Sequence, residues 1–119
     1  MKVIENFSNV EELSKIVDEN KGVITTTMRA LRDAHGADRL GIHVRSGLSR
    51  SLRKAGLGHQ PRELPDSQEK LARIYRRGGP VDELIEAVDA IDPQNDEILR
   101  ERAGNDAADI IQKIRELVE

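Results

Sequence analysis

Apolar side chains recur every three or four residues along most of this 119-residue chain, and the interruptions fall at glycine and proline. Val10, Leu13, Ile16 and Val17 form one stripe behind Ser8 or Asn9, either of which can cap a helix running to about Asn20. Lys21 and Gly22 end that helix, and Val23 to Thr25 is β-branched enough for a short extended segment. Thr27 can cap a second helix of about two turns, with Met28 and Leu31 inward and Gly36 as its stop.

The next stretch, "RLGIHVRSGLSRSLRKAG" at 39–56, predicts a third helix over 38–55 with Asp38 as its cap. At 100° per residue Leu40, Val44, Leu48, Leu52 and Ala55 share one side with the small residues Gly41, Gly47 and Ser51. That side is the expected core face, and its glycines suggest close approach to a neighbouring helix. The other side carries Arg39, His43, Arg45, Ser46, Ser49, Arg50, Arg53 and Lys54, with Ile42 as its one apolar member and no carboxylate among them. Gly56 stops the helix, and Leu57 is placed for the hydrophobic contact of a Schellman cap.

Gly58, Pro61 and Pro65 mark a loop. Asp66 and Glu69 have capping-box spacing ahead of Leu71, Ile74 and Tyr75, so 66–77 reads as a helix stopped by Gly78; a strand over 71–77 is the alternative. Pro80 begins another helix lined by Val81, Leu84, Ile85, Val88 and Ile91. Pro93 opens a short polar helical turn broken at Gly104, and Ile110, Ile111, Ile114, Leu117 and Val118 mark a final amphipathic helix. The expected fold is mainly α.

Composition narrows this. One domain's worth of chain with only Phe7 and Tyr75 as aromatics must build its core from aliphatic residues, which suits packed helices. The absence of cysteine removes disulfides, thiolate nucleophiles and cysteine zinc sites. No apolar run approaches the roughly 20 residues that span a bilayer, and the charged N-terminus is unlike a signal peptide, so a soluble, cytoplasmic protein is expected.

The formal charge of −3 hides a polar distribution. Residues 1–25 hold three basic and five acidic side chains, for −2; residues 26–79 hold twelve and five, for +7; residues 80–119 hold four and twelve, for −8. A basic middle attracts polyanions even when the whole molecule is acidic.

Taken in order, a helix, an extended piece, a second helix, a tight turn at Gly36 and a third helix with a basic face resemble the winged-helix and helix-turn-helix class of DNA-binding domains over residues 9–77. The resemblance rests on element order, turn length and charge. It implies a basic domain over 1–79 whose third helix lies in the major groove, with the loop from Gly58 to Pro65 and its Arg62 standing where a wing meets the backbone. Beyond it, charge and apolar spacing make 80–119 an acidic helical extension, packed on that domain or forming a dimer interface.

Arginine suits phosphate and guanine, and Ser46 and Ser49 are short donors for phosphate oxygens. The near absence of aromatics argues against single-strand stacking, so duplex DNA is the expected partner, in a regulator or accessory factor. The other reading is a helical adaptor whose basic face docks an acidic protein. Enzymatic chemistry is not expected: His35, His43 and His59 have no metal-ligand spacing, "RRGGP" lacks the ending of a phosphate loop, and nothing calls for a cofactor or metal. The stripe Ile110, Ile111, Ile114, Leu117 and Val118 either closes onto the first helix of its own chain or forms the interface of a homodimer, which is the expectation here.

Overall fold

The computed structural model describes residues 2–118, apart from the side chains of 105–110 and 118. The chain divides into two units, 1–82 and 83–119.

The first unit begins with α1 (Val10–Glu19), capped by Asn9, whose side chain accepts from the Glu12 amide at 2.9 Å while the Glu12 carboxylate accepts from the Ser8 amide at 2.9 Å. Leu13 and Val17 are fully buried. Lys21 and Gly22 both take left-handed backbone, φ 61° and 94°, and turn the chain into β1 (Val23–Thr27). In β1 the alternate residues Ile24 and Thr26 point inward. Thr27 then caps α2 (Met28–Ala34) by accepting from the Ala30 amide, and its hydroxyl donates to Glu5.

The third helix, α3 (Ile42–Lys54), starts three residues later than the sequence suggests, with Gly41 rather than Asp38 as its N-cap. Leu40 stays outside the helix because its carbonyl is taken by the Arg45 guanidinium, at 3.0 Å, while its side chain is still buried. Leu48 and Leu52 fill the core, and Gly56, at φ 78°, stops the helix with Leu57 buried. Of the two glycines expected at a close approach, Gly47 is one: a Cβ there would lie 3.2 Å from His35 at the end of α2. Gly41 is not, since nothing lies within 4 Å of its Cβ position.

The largest correction concerns 66–77. This stretch is not a helix; after a turn at 66–70 it forms β3 (Leu71–Arg76), which pairs antiparallel with β1 on one side and β2 (Leu57–Gln60) on the other, in sheet order β1-β3-β2. The period is two: Ala72 and Ile74 are buried, while Leu71 and Arg73 are exposed. As the central strand, β3 has both of its backbone edges satisfied, which outweighs the helical spacing of Leu71, Ile74 and Tyr75. Tyr75 lies across Gly58, where a Cβ would fall 2.6 Å from the ring, so only glycine fits that strand position without moving the ring. The fold is therefore mixed: helices and a small antiparallel sheet around one core, not a mainly α domain.

Arg76 ties this unit together. Its guanidinium donates to Asp18 at 2.9 Å, to the Ser14 carbonyl and hydroxyl on α1, and to the Ala55 and Gly56 carbonyls where α3 ends.

The helix α4 (Pro80–Asp89) leads into the second unit, and Asp92 caps α5 (Pro93–Val118) by accepting from the Asn95 amide at 3.0 Å. A second correction falls here: Gly104 does not break the chain, and the two helical pieces expected around it are one helix of 26 residues. One exposed glycine costs only about 1 kcal/mol relative to alanine, and its neighbours include Ala103, Ala107 and Ala108.

Candidate nucleic-acid interface

Burial of Leu48 and Leu52 fixes the rotation of α3, and that rotation decides which side chains reach solvent. His43, Ser46, Arg50 and Arg53 follow one another at spacings of three, four and three along the exposed side, with Lys54 adjoining and Ile42 at the start, 67% exposed. None of the five polar residues makes a hydrogen bond or ion pair through its side chain among the described residues. The sequence contributes to this directly: from Arg39 to Arg62 there are six lysines and arginines and no carboxylate.

The other candidates are placed differently. Arg39 is exposed in the bend before α3. Arg45 is half-buried, donating to the Leu40 carbonyl at 3.0 Å and the Leu64 carbonyl at 3.3 Å, so it holds the β2–β3 loop against the start of α3. Ser49 is half-buried and 2.8 Å from His59 Nε2. His59 Nδ1 lies 2.8 Å from the Pro61 carbonyl; a carbonyl only accepts, so Nδ1 carries a proton, and in the neutral ring Nε2 is then the acceptor for the Ser49 hydroxyl. Arg45 thus commits two of its five N–H donors inside the fold, and Ser49 its hydroxyl. Arg62 is exposed, but the loop around it, 61–70, carries Glu63, Asp66 and Glu69 against Arg62 and Lys70, a net −1.

A serine hydroxyl on an imidazole is also the beginning of a nucleophile–base pair. Here the far ring nitrogen ends on a backbone carbonyl, which carries no charge to stabilise an imidazolium as a carboxylate would. A concavity of about 230 Å³ lined by Asp18, Lys21, Gly22, Arg76, Gly79, Pro80 and Val81 shares no residue with that pair. No group of three His, Cys, Asp or Glu side chains is placed to hold a metal ion among the described residues.

Of the expected interface residues on the last helix, Ile111, Ile114 and Leu117 are exposed, at 50%, 56% and 85%. Ile110 and Val118 lie outside the described residues.

The structural roles of Arg45 and Arg76 were not legible in the sequence, because most of their acceptors are backbone carbonyls, which no side-chain pattern announces. No family model matches the chain, and neither the curated proteins nor the solved structures contain a significant match to it. No helix among the described residues is long and apolar enough to cross a membrane.

Proposed function

We propose that the chain is a duplex DNA-binding protein, a regulator or accessory factor of the cytoplasm rather than an enzyme, and that it binds through the outward side of α3. The observation that carries this is the strip His43, Ser46, Arg50, Arg53 and Lys54, exposed, without side-chain partners among the described residues and set in a stretch without carboxylates. A guanidinium without an internal acceptor keeps its donors for a phosphate or for the edge of guanine. The order α1-β1-α2-α3-β2-β3, with a three-stranded antiparallel sheet, is compatible with the winged-helix layout, in which the helix corresponding to α3 enters the major groove.

In this reading Arg45 and Ser49, hydrogen-bonded inside the fold, support α3, and the acidic β2–β3 loop leaves the helix as the main phosphate contact. A second copy paired along Ile111, Ile114 and Leu117 of α5 would present two α3 helices to one duplex.

The test is a duplex titration at several salt concentrations. Log affinity should fall linearly with log salt, by about 0.9 per phosphate neutralised. The Arg50→Ala, Arg53→Ala double variant should flatten that slope by about two units while melting as the parent does. Unchanged binding by the folded double variant would remove α3 as the DNA surface. Salt-sensitive binding to an acidic protein, with none to duplex, would favour the adaptor reading.

A further inference from the structure

The chain contains two stretches of opposite composition. Residues 39–62 hold six lysines and arginines and no carboxylate; residues 80–99 hold seven carboxylates and no lysine or arginine. Both also expose apolar surface, Ile42 at 67% on α3 and Val88 at 63% and Ile91 at 96% on the acidic stretch. Within α4, Glu83, Glu86 and Asp89 recur at spacings of three on exposed positions. Such a helix matches the α3 strip in charge and in having an apolar residue beside the charges.

Asp82, at the start of α4, accepts from the Gly78 amide at 2.8 Å, which leaves Glu83, Glu86 and Asp89 as the exposed carboxylates of that helix. We propose that the acidic 80–99 stretch of a second copy of this chain docks on the α3 face, so that self-association and DNA binding compete for the same cations. The composition is self-complementary: in two copies related by a two-fold axis, α3 of each would meet 80–99 of the other. This rests on the assignment of α3 as the DNA surface only for the competition; the docking itself needs no DNA.

The experiment uses the full chain without DNA. Equal amounts of ¹⁴N- and ¹⁵N-labelled protein are mixed at about 50 mM salt and treated with a zero-length carbodiimide, which joins a lysine to a carboxylate in direct contact, and the cross-linked peptides are read by mass spectrometry. Lys54 is the one lysine on the α3 strip. The expected product links Lys54 to a carboxylate within 82–97 in mixed-isotope pairs, is lost at about 500 mM salt because an exposed charge contact is screened, and is lost in a Glu83→Gln, Glu86→Gln, Asp89→Asn variant. In a separate duplex titration at low salt that variant should bind at least threefold more tightly. Cross-links at Lys54 confined to single-isotope pairs would overturn the second copy as occupant, and absence of any Lys54 link to 82–97 would overturn the docking. If duplex binding fails in every variant while the mixed-isotope link persists, the DNA reading falls and the docking stands.

Discussion

α3 and α5 both carry apolar residues at helical spacing, and they end in opposite conditions. In α3 the stripe is sealed: Leu48 is 1% exposed and Leu52 is fully buried, with β2 packed against the helix. In α5 the residues of the same kind, Ile114 and Leu117, stand mostly in solvent. Ala87 is the one buried residue described for the whole 83–119 unit. A pattern therefore specifies which side of a helix is apolar, not what covers it. In α3 a sheet does so; for α5 a second copy remains the proposal. The polar sides differ as well. α3 shows cations without counterions, whereas α5 alternates the sign of its charges, with Arg100, Glu101 and Arg102 in succession.

The sharpest way to break this contrast is to place a charge on each stripe. Leu48→Asp should abolish cooperative folding of the first unit, since an unpaired carboxylate in a full core costs several kcal/mol, comparable with the total stability of a domain this size. Leu117→Asp should leave the thermal transition of that unit where it is. Circular dichroism melts of the two variants check both, and a folded Leu48→Asp protein would mean that α3 is not packed as described.

Next in size is Arg76→Ala. It removes five hydrogen bonds and leaves the Ala55 carbonyl without its guanidinium donor, so a loss of about 2–3 kcal/mol is expected in chemical denaturation. No exposed arginine of α3 should behave this way: Arg53→Ala should cost less than about 0.5 kcal/mol.

How much of this was legible follows from how local each cause is. An α1 cap at Ser8 or Asn9, the apolar face of α3 and the stop at Gly56 depend on neighbours a few residues away, and the sequence states them. β3 does not work this way. Ile74 pairs with Ile24, fifty positions earlier, and the short stretch 71–76 carries both a helical and an alternating pattern until that partner is in place. The candidate site divides along the same line. Exposure of His43, Ser46, Arg50, Arg53 and Lys54 follows from helical period alone, whereas the internal commitments of Arg45 and Ser49 depend on Leu64 and His59, across a loop whose course the sequence does not give.

That division suggests a smaller test on Ser49. Because its hydroxyl is hydrogen-bonded to His59 Nε2, Ser49→Ala should cost about 1 kcal/mol of stability and leave the salt dependence of duplex binding unchanged. Ser46→Ala, at an exposed position, should leave stability unchanged. A flatter salt slope for Ser49→Ala than for Ser46→Ala would return Ser49 to the interface.

The smallest expected effect, and one of opposite sign, comes from the two glycines inside these helices. Gly104 in α5 has nothing within 4 Å of where a Cβ would stand, and its backbone is helical, so Gly104→Ala should gain roughly the full propensity difference, up to about 1 kcal/mol, seen as increased helicity of the second unit. Gly47 in α3 has the same propensity to gain, but its new methyl would meet His35 Nε2 at 3.2 Å and Cε1 at 3.4 Å. His35 is exposed and can shift, yet it sits where α2 ends against α3, so displacement costs part of the gain and Gly47→Ala should be near neutral. Pairing Gly47→Ala with His35→Ala removes the obstacle, and the substitution at 47 should then stabilise as much as the one at 104. Equal gains at both glycines in the parent background would show that the α2–α3 approach carries no constraint at Gly47, and that the two helices differ only in what covers their apolar sides.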